Sequence, residues 1–255
     1  MPSQADIYIH QIQNNRKAQQ FNPLLLTPLV QIVQQWAGQY LLEFKWSGSF
    51  AKGTAIAGSS DIDLFISLRG DVLSGNTPSL RSLYTSLNNW LGGRSYITRQ
   101  QNVSISINHA GFQVDLVPAV KHPGNTSDHS LYKRKTGTWT KTNIDTHINY
   151  IKSSGRAFDI RTAKIWRNLR GLDISSFYLE LGVLMALGGR KVYDPSNNFW
   201  EVLRFLADDF VGAVIYDPAN TNNCVSDELS QVEQQVIANH ARHSRTQRDW
   251  SGIIW

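Results

Sequence analysis

Apolar residues recur at helical spacing over residues 23–39 (PLLLTPLVQIVQQWAGQ), where Leu26, Val30, Val33 and Trp36 share a face and Gly38 marks an end. Residues 40–46 read as a strand leading into a Gly48-Ser49 turn, and residues 50–54 as a short helical turn. Asp61 to Leu68 is predicted as a strand, and Ser79 to Leu91 as an amphipathic helix closed by Gly92-Gly93. Alternation over Asn102–Ile107 and again over Phe112–Val120, around a turn at 108–111, predicts a hairpin. Pro118 predicts that its second strand ends there or lies near an edge. Residues 121–143 read as turn-rich and basic. Beyond them the pattern is helical. Over 156–170, Phe158, Thr162, Ile165, Trp166 and Leu169 form one apolar stripe, with Arg161, Lys164 and Asn168 on a different face. Residues 176–187 are more fully apolar, 197–208 amphipathic, and a last helix is expected to begin near Ser226. The fold class is α/β (α+β). A first domain over 1–143, with its N-terminal helix, precedes a helical domain over 144–255, and the two are expected to pack around a cleft.

One strand departs from simple alternation in a way that carries chemistry. In the stretch 46–68 (WSGSFAKGTAIAGSSDIDLFISL), Asp61 and Asp63 are two residues apart, so on a strand both point to one face while Ile62 and Leu64 point to the other. Two neighbouring carboxylates repel unless a cation lies between them. Oxygen ligands on a rigid strand suit Mg²⁺, which keeps some of its waters and takes substrate phosphates as further ligands. A two-ion phosphoryl-transfer site needs more than two carboxylates. Asp115 interrupts the apolar strand 112–120 (FQVDLVPAV), where an unpaired carboxylate is costly, and it is the candidate third ligand and general base. Pairing with a lysine or arginine is the alternative for Asp115.

Composition narrows the partners. With 41% apolar and 18% charged residues, the 255-residue chain reads as globular and not disordered. It lacks an apolar run of ~18 residues, so no membrane partner is expected. The polar first sixteen residues and a single cysteine, Cys224, lead to the expectation of a cytoplasmic protein. A net charge of +5 is compatible with polyanions such as nucleotides or RNA, and equally with an ordinary basic surface.

Gly48-Ser49, Lys52-Gly53-Thr54, Asp61-Ile62-Asp63 and Asp115 resemble the motifs of the DNA polymerase beta nucleotidyltransferase superfamily. Within it the chain is most similar to the branch holding 2′-5′ oligoadenylate synthetases, bacterial cGAS/DncV-like nucleotidyltransferases (CD-NTases) and archaeal-type CCA-adding enzymes. Residues 159–166 (DIRTAKIW), 176–181 (SFYLEL) and 217–226 (DPANTNNCVS) extend the resemblance across most of the chain. It implies a mixed sheet carrying the three aspartates as palm-like catalytic domain, faced by a helical nucleotide-binding domain. It also implies two Mg²⁺ or Mn²⁺ ions and an NTP, ATP being the expected one. Gly48 and Ser49 would hold the triphosphate, and Lys164 would supply a point charge to it. Lys52 is a second phosphate candidate or a surface residue. Ser176 and Tyr178 are candidate nucleobase contacts, although periodicity also allows Tyr178 to be core.

Three functions follow from the resemblance. The first is a signal synthase joining NTPs into a cyclic or linear oligonucleotide, with release of pyrophosphate. The second is a template-independent enzyme acting on an RNA or tRNA 3′ end, or on a protein as a toxin-like modifier. The third is a nucleotide-binding protein without turnover, which the presence of all three aspartates disfavours. RNA or an oligonucleotide enters as candidate acceptor or activator.

Overall fold

A computed structural model describes residues 2–20, 22–58, 61–74 and 79–255. The chain forms two compact units: 20–51 with 61–148, and 1–19 with 52–60 and 149–255. The architecture is mixed α/β, with a mixed sheet in one unit and helices dominating the other.

The sheet unit is built on seven strands: β1 (Leu41–Ser47), β2 (Ile62–Leu68), β3 (Arg99–Gln100), β4 (Ile105–His109), β5 (Phe112–Lys121), β6 (His129–Lys133) and β7 (Thr138–Thr142). Their order is β1-β2-β5-β4-β3, with β6 joining β5 and β7 joining β6. Only β2 and β5 run parallel; the other pairs are antiparallel. The helices Thr27–Ala37 and Leu80–Gly92 share a core with one side of this sheet. Leu29, Val33, Leu83 and Leu87 meet Ile62, Leu64, Ile66, Val114 and Leu116 there. Because side chains alternate along a strand, the odd-numbered positions of β2 and β5 belong to the other face, where Phe65, Val117 and Ala119 cluster with Leu131 and Ile144. The aspartates share that parity.

Two sequence expectations in this unit meet the structure: the edge alternative for Pro118 holds, and the turn-rich reading of 121–143 is corrected. Strand β5 does not end at Pro118 but runs to Lys121 between two neighbours. The proline is tolerated because β4 stops opposite Leu116 and β6 begins opposite Val120, leaving a local edge between them. The stretch 121–143 is not mainly turn; β6 and β7 form a hairpin closed through Gly137 at φ +70°. Its residues are mostly polar, and only His129, Leu131, Tyr132 and Thr142 are buried, so alternation was weak.

The helical unit has its core around Trp166, Tyr178, Phe199, Leu203, Phe210 and Ile237. The Ala157–Leu169 helix is buried on nearly every side, with Ile160, Thr162, Ala163, Lys164, Ile165, Trp166 and Arg167 all inaccessible. Residues 4–15, read from sequence only as a polar stretch, form a helix with a Ser3–Asp6 capping box. Only Ile9, Ile12 and Gln13 of that helix are buried, too few to give a visible stripe. The last helix, Gln231–Arg245, starts at Ser230 with a Ser230–Glu233 capping box, and not near Ser226. Ser226 instead accepts a hydrogen bond from the Ile215 N–H at 3.2 Å. Among the described residues no helix is long and apolar enough to cross a membrane.

Candidate active site

The parallel register sets Asp63 directly beside Asp115, with Ser47 of β1 next to Asp63 and Ser106 of β4 next to Asp115. Four strands thus contribute one polar row to a sheet whose neighbouring positions are apolar. Asp61 lies immediately before β2. Its carboxyl is pushed above the ordinary carboxylate range by burial and then by the charge of Asp115, with Arg99 pulling weakly the other way. Asp115 accepts a hydrogen bond from Ser104 Oγ at Oδ2 (2.9 Å), while its Oδ1 is buried and accepts none. Such an orphaned oxygen costs ~1–3 kcal/mol in a folded protein. Such a group calls for an explanation, and a bound ion or water is one.

Gly48 opens the short helix Gly48–Lys52 at φ +60°. A β-carbon on this residue would fall 1.7 Å from Asp63 Oδ2. The glycine is therefore required twice, by its left-handed backbone and by the carboxylate that occupies the place of its side chain. Ser49 follows in the same helix. Among the described residues no group of three His, Cys, Asp or Glu side chains is placed to hold a metal ion by itself. The fit to a divalent ion rests on the carboxylate row, the orphaned Asp115 oxygen and the cradle at Gly48.

The remaining predicted residues fall in the helical unit. Lys164 does not lie on an open face of its helix: it is 1% exposed, and its ammonium donates to Glu180 Oε1 (2.6 Å), Thr54 Oγ1 (3.0 Å) and the Thr54 carbonyl (3.4 Å). Most of the helix is buried, and Glu180 supplies the charge that makes a buried lysine tolerable. Lys52 is also buried, paired with Glu180 Oε2 at 2.8 Å and 4.6 Å from the centroid of the Phe177 ring. Tyr178 is a core residue, fully buried against Phe210, and its hydroxyl accepts from Gln234 Nε2 at 3.3 Å. Ser176 accepts a hydrogen bond from Arg167 Nη1 at 3.1 Å. Glu180 was missed by sequence reasoning. Its signal was visible: one acid inside the otherwise apolar helix Ser176–Ala186.

Residues 33–154, which include all three aspartates, match the model of the SMODS family, the Second Messenger Oligonucleotide or Dinucleotide Synthetase domain. A cyclic AMP-AMP-AMP synthase of Escherichia coli (strain MS 115-1) is 28% identical over 234 residues, covering 82% of this chain and 71% of the relative. A CBASS oligonucleotide cyclase, CdnC, of Escherichia coli (strain KTE188) is 23% identical over 239 residues, covering 81% of this chain and 76% of the relative. The domain match and these relatives together support the CD-NTase nucleotidyltransferase superfamily. In fold, the enzyme is similar to the CD-NTase CdnG of Bradyrhizobium diazoefficiens, solved in complex with GTP, with a TM-score of 0.74 at 14% identity over 99% of this chain and 96% of that one. The relatives are oligonucleotide cyclases and synthetases, that is, nucleotidyltransferases.

Proposed function

We propose that the enzyme joins NTPs, ATP among them, into a cyclic or linear oligonucleotide that serves as an antiviral-type signal in the cytoplasm. Asp61, Asp63 and Asp115 would hold the divalent ions, Mg²⁺ or Mn²⁺, expected as a pair. The observation that carries the metal assignment is the Asp63–Asp115 register with a buried, unpartnered Asp115 Oδ1 beside it. When bound, the ions offset the negative charge that builds up on the phosphoryl oxygens.

The reaction is a displacement at phosphorus. A 2′- or 3′-hydroxyl of one nucleotide forms a bond to the α-phosphorus of another, and the bond from that phosphorus to the pyrophosphate oxygen breaks. Asp115 takes the hydroxyl proton. Its Oδ2 is oriented by Ser104, which leaves Oδ1 as the free acceptor. Gly48 admits the Asp63 carboxylate close to the backbone, so the start of the Gly48–Lys52 helix and the carboxylate are held together. Ser49 offers a hydroxyl and backbone N–H to phosphate.

The test is incubation with labelled NTPs and Mg²⁺ or Mn²⁺, with and without tRNA. Small, phosphatase-resistant labelled products support the signal-synthase reading. Label appearing on the tRNA 3′ end transfers the assignment to RNA modification, and no labelled product with either metal contradicts both.

A further inference from the structure

The turn Lys52–Thr54 is held from three directions within the helical unit. Lys52 Nζ donates to Glu180 Oε2 at 2.8 Å, and Thr54 Oγ1 donates to Glu180 Oε1 at 2.7 Å. Between them the Gly53 carbonyl, on a residue at φ +75°, accepts from Arg161 Nη1 at 2.8 Å. Lys164 closes the cluster by donating to Glu180 Oε1 and to Thr54 Oγ1. Thr54 is 0% exposed and Glu180 and Lys164 each 1%, so little water competes for these bonds. Burial works to raise the Glu180 carboxyl, but the Lys52 and Lys164 ammonium groups outweigh it and hold the group below its ordinary value.

Stability alone is a poor account of this cluster, because apolar replacement of a buried ion pair is often neutral or stabilising. What apolar side chains cannot supply is direction. One carboxylate accepts from both ends of a three-residue turn and so fixes its path. The turn continues the Gly48–Lys52 helix and leads on to Asp61. Lys164 meanwhile commits its donors inside the cluster, to Glu180 Oε1, Thr54 Oγ1 and the Thr54 carbonyl.

We propose that Glu180 is a positioning residue for nucleotidyl transfer, fixing the Lys52–Thr54 turn and, along the chain, the conformation of the segment from Gly48 to Gly58. The proposal rests on the nucleotidyl-transfer reading above. Glu180 touches no reacting atom; it acts through the turn.

The experiment compares Glu180→Asp and Thr54→Val with the wild-type protein. The first variant keeps the charge but loses one methylene of reach, and the second removes the hydroxyl while keeping shape. Kinetics with labelled NTPs, thermal melting and hydrogen exchange of peptides spanning 48–58 are measured on each. Expected are a kcat at least tenfold lower with KM for NTP within twofold, and amide exchange at least tenfold faster in that segment. Melting should stay well above assay temperature. Should Glu180→Asp fail to fold, Thr54→Val carries the same expectations. Wild-type kcat in folded variants, or unchanged exchange over 48–58, overturns the proposal. A wild-type protein that forms no product refutes the underlying reading instead, and the exchange data still decide whether Glu180 holds the segment.

Discussion

Two carboxylate clusters in this enzyme are treated in opposite ways. In the sheet unit, acids gather in one row: Asp63 pairs in register with Asp115, Asp61 is raised by burial and by Asp115, and Asp115 Oδ1 has no hydrogen-bond partner. In the helical unit a single acid, Glu180, is saturated by two ammonium groups and a hydroxyl. The three aspartates are half-buried, whereas Glu180 and its partners are sealed from water. The first leaves capacity for a ligand, and the second spends all of it on the protein. Charged residues in a nucleotide enzyme therefore cannot be assigned by type or by motif alone; what counts is which of their donors and acceptors the fold has already used.

The comparison predicts opposite outcomes when each cluster is broken. The largest effect is expected for Asp115→Ala, which should lower turnover on the order of 10³-fold, since several kcal/mol of charge stabilisation is lost with a metal ligand. Its melting temperature should hold or rise, because an orphaned buried oxygen disappears. Glu180→Ala should do the reverse to stability and lose ~3–5 kcal/mol, read from urea unfolding, because it leaves two buried ammonium groups uncompensated. Gly48→Ala is expected to cost ~1–3 kcal/mol through backbone strain alone. It should also depress activity, because its β-carbon displaces Asp63.

The smallest effect concerns pH, and its sign differs between the clusters. Asp61 titrates above its ordinary value in the folded protein, so its contribution to stability is present at low pH and is lost as pH rises through that raised value. Glu180 titrates below its ordinary value, so its contribution is present above the unfolded pKa and is lost as pH falls through the lowered one. Urea midpoints measured from acid to neutral pH should show Asp61→Asn gaining on wild type as pH rises. Glu180→Gln should be closest to wild type at the acid end. Parallel pH profiles for the two variants would break the comparison.

How much of this was legible differs by feature. The Asp61–Asp63 spacing forces a common face on a strand, and the apolar run around Asp115 marks a second strand; both are local patterns that the fold preserves. The pairing of Asp63 with Asp115 is a matter of register between distant segments, and only the structure shows it. Gly48 looked like a phosphate-approach glycine in the sequence, yet its first requirement is the Asp63 carboxylate packed against it. Lys164 was read as an open basic position because its neighbours at helical spacing included Arg161 and Asn168. A helix buried on most sides hides such a residue when a counter-charge such as Glu180 arrives from another helix. The polar β6–β7 hairpin and the Gln4–Asn15 helix went unread because each buries only a few side chains.

The central claim is that the sheet unit's carboxylates hold divalent metal for nucleotidyl transfer. It is tested most directly by titrating Mn²⁺, followed by electron paramagnetic resonance, into the enzyme with a non-hydrolysable NTP analogue. The account predicts bound Mn²⁺ in the wild-type protein and its loss in both Asp63→Asn and Asp115→Asn, with Glu180→Asp still binding. Equal Mn²⁺ binding by wild type and the two aspartate variants would contradict it.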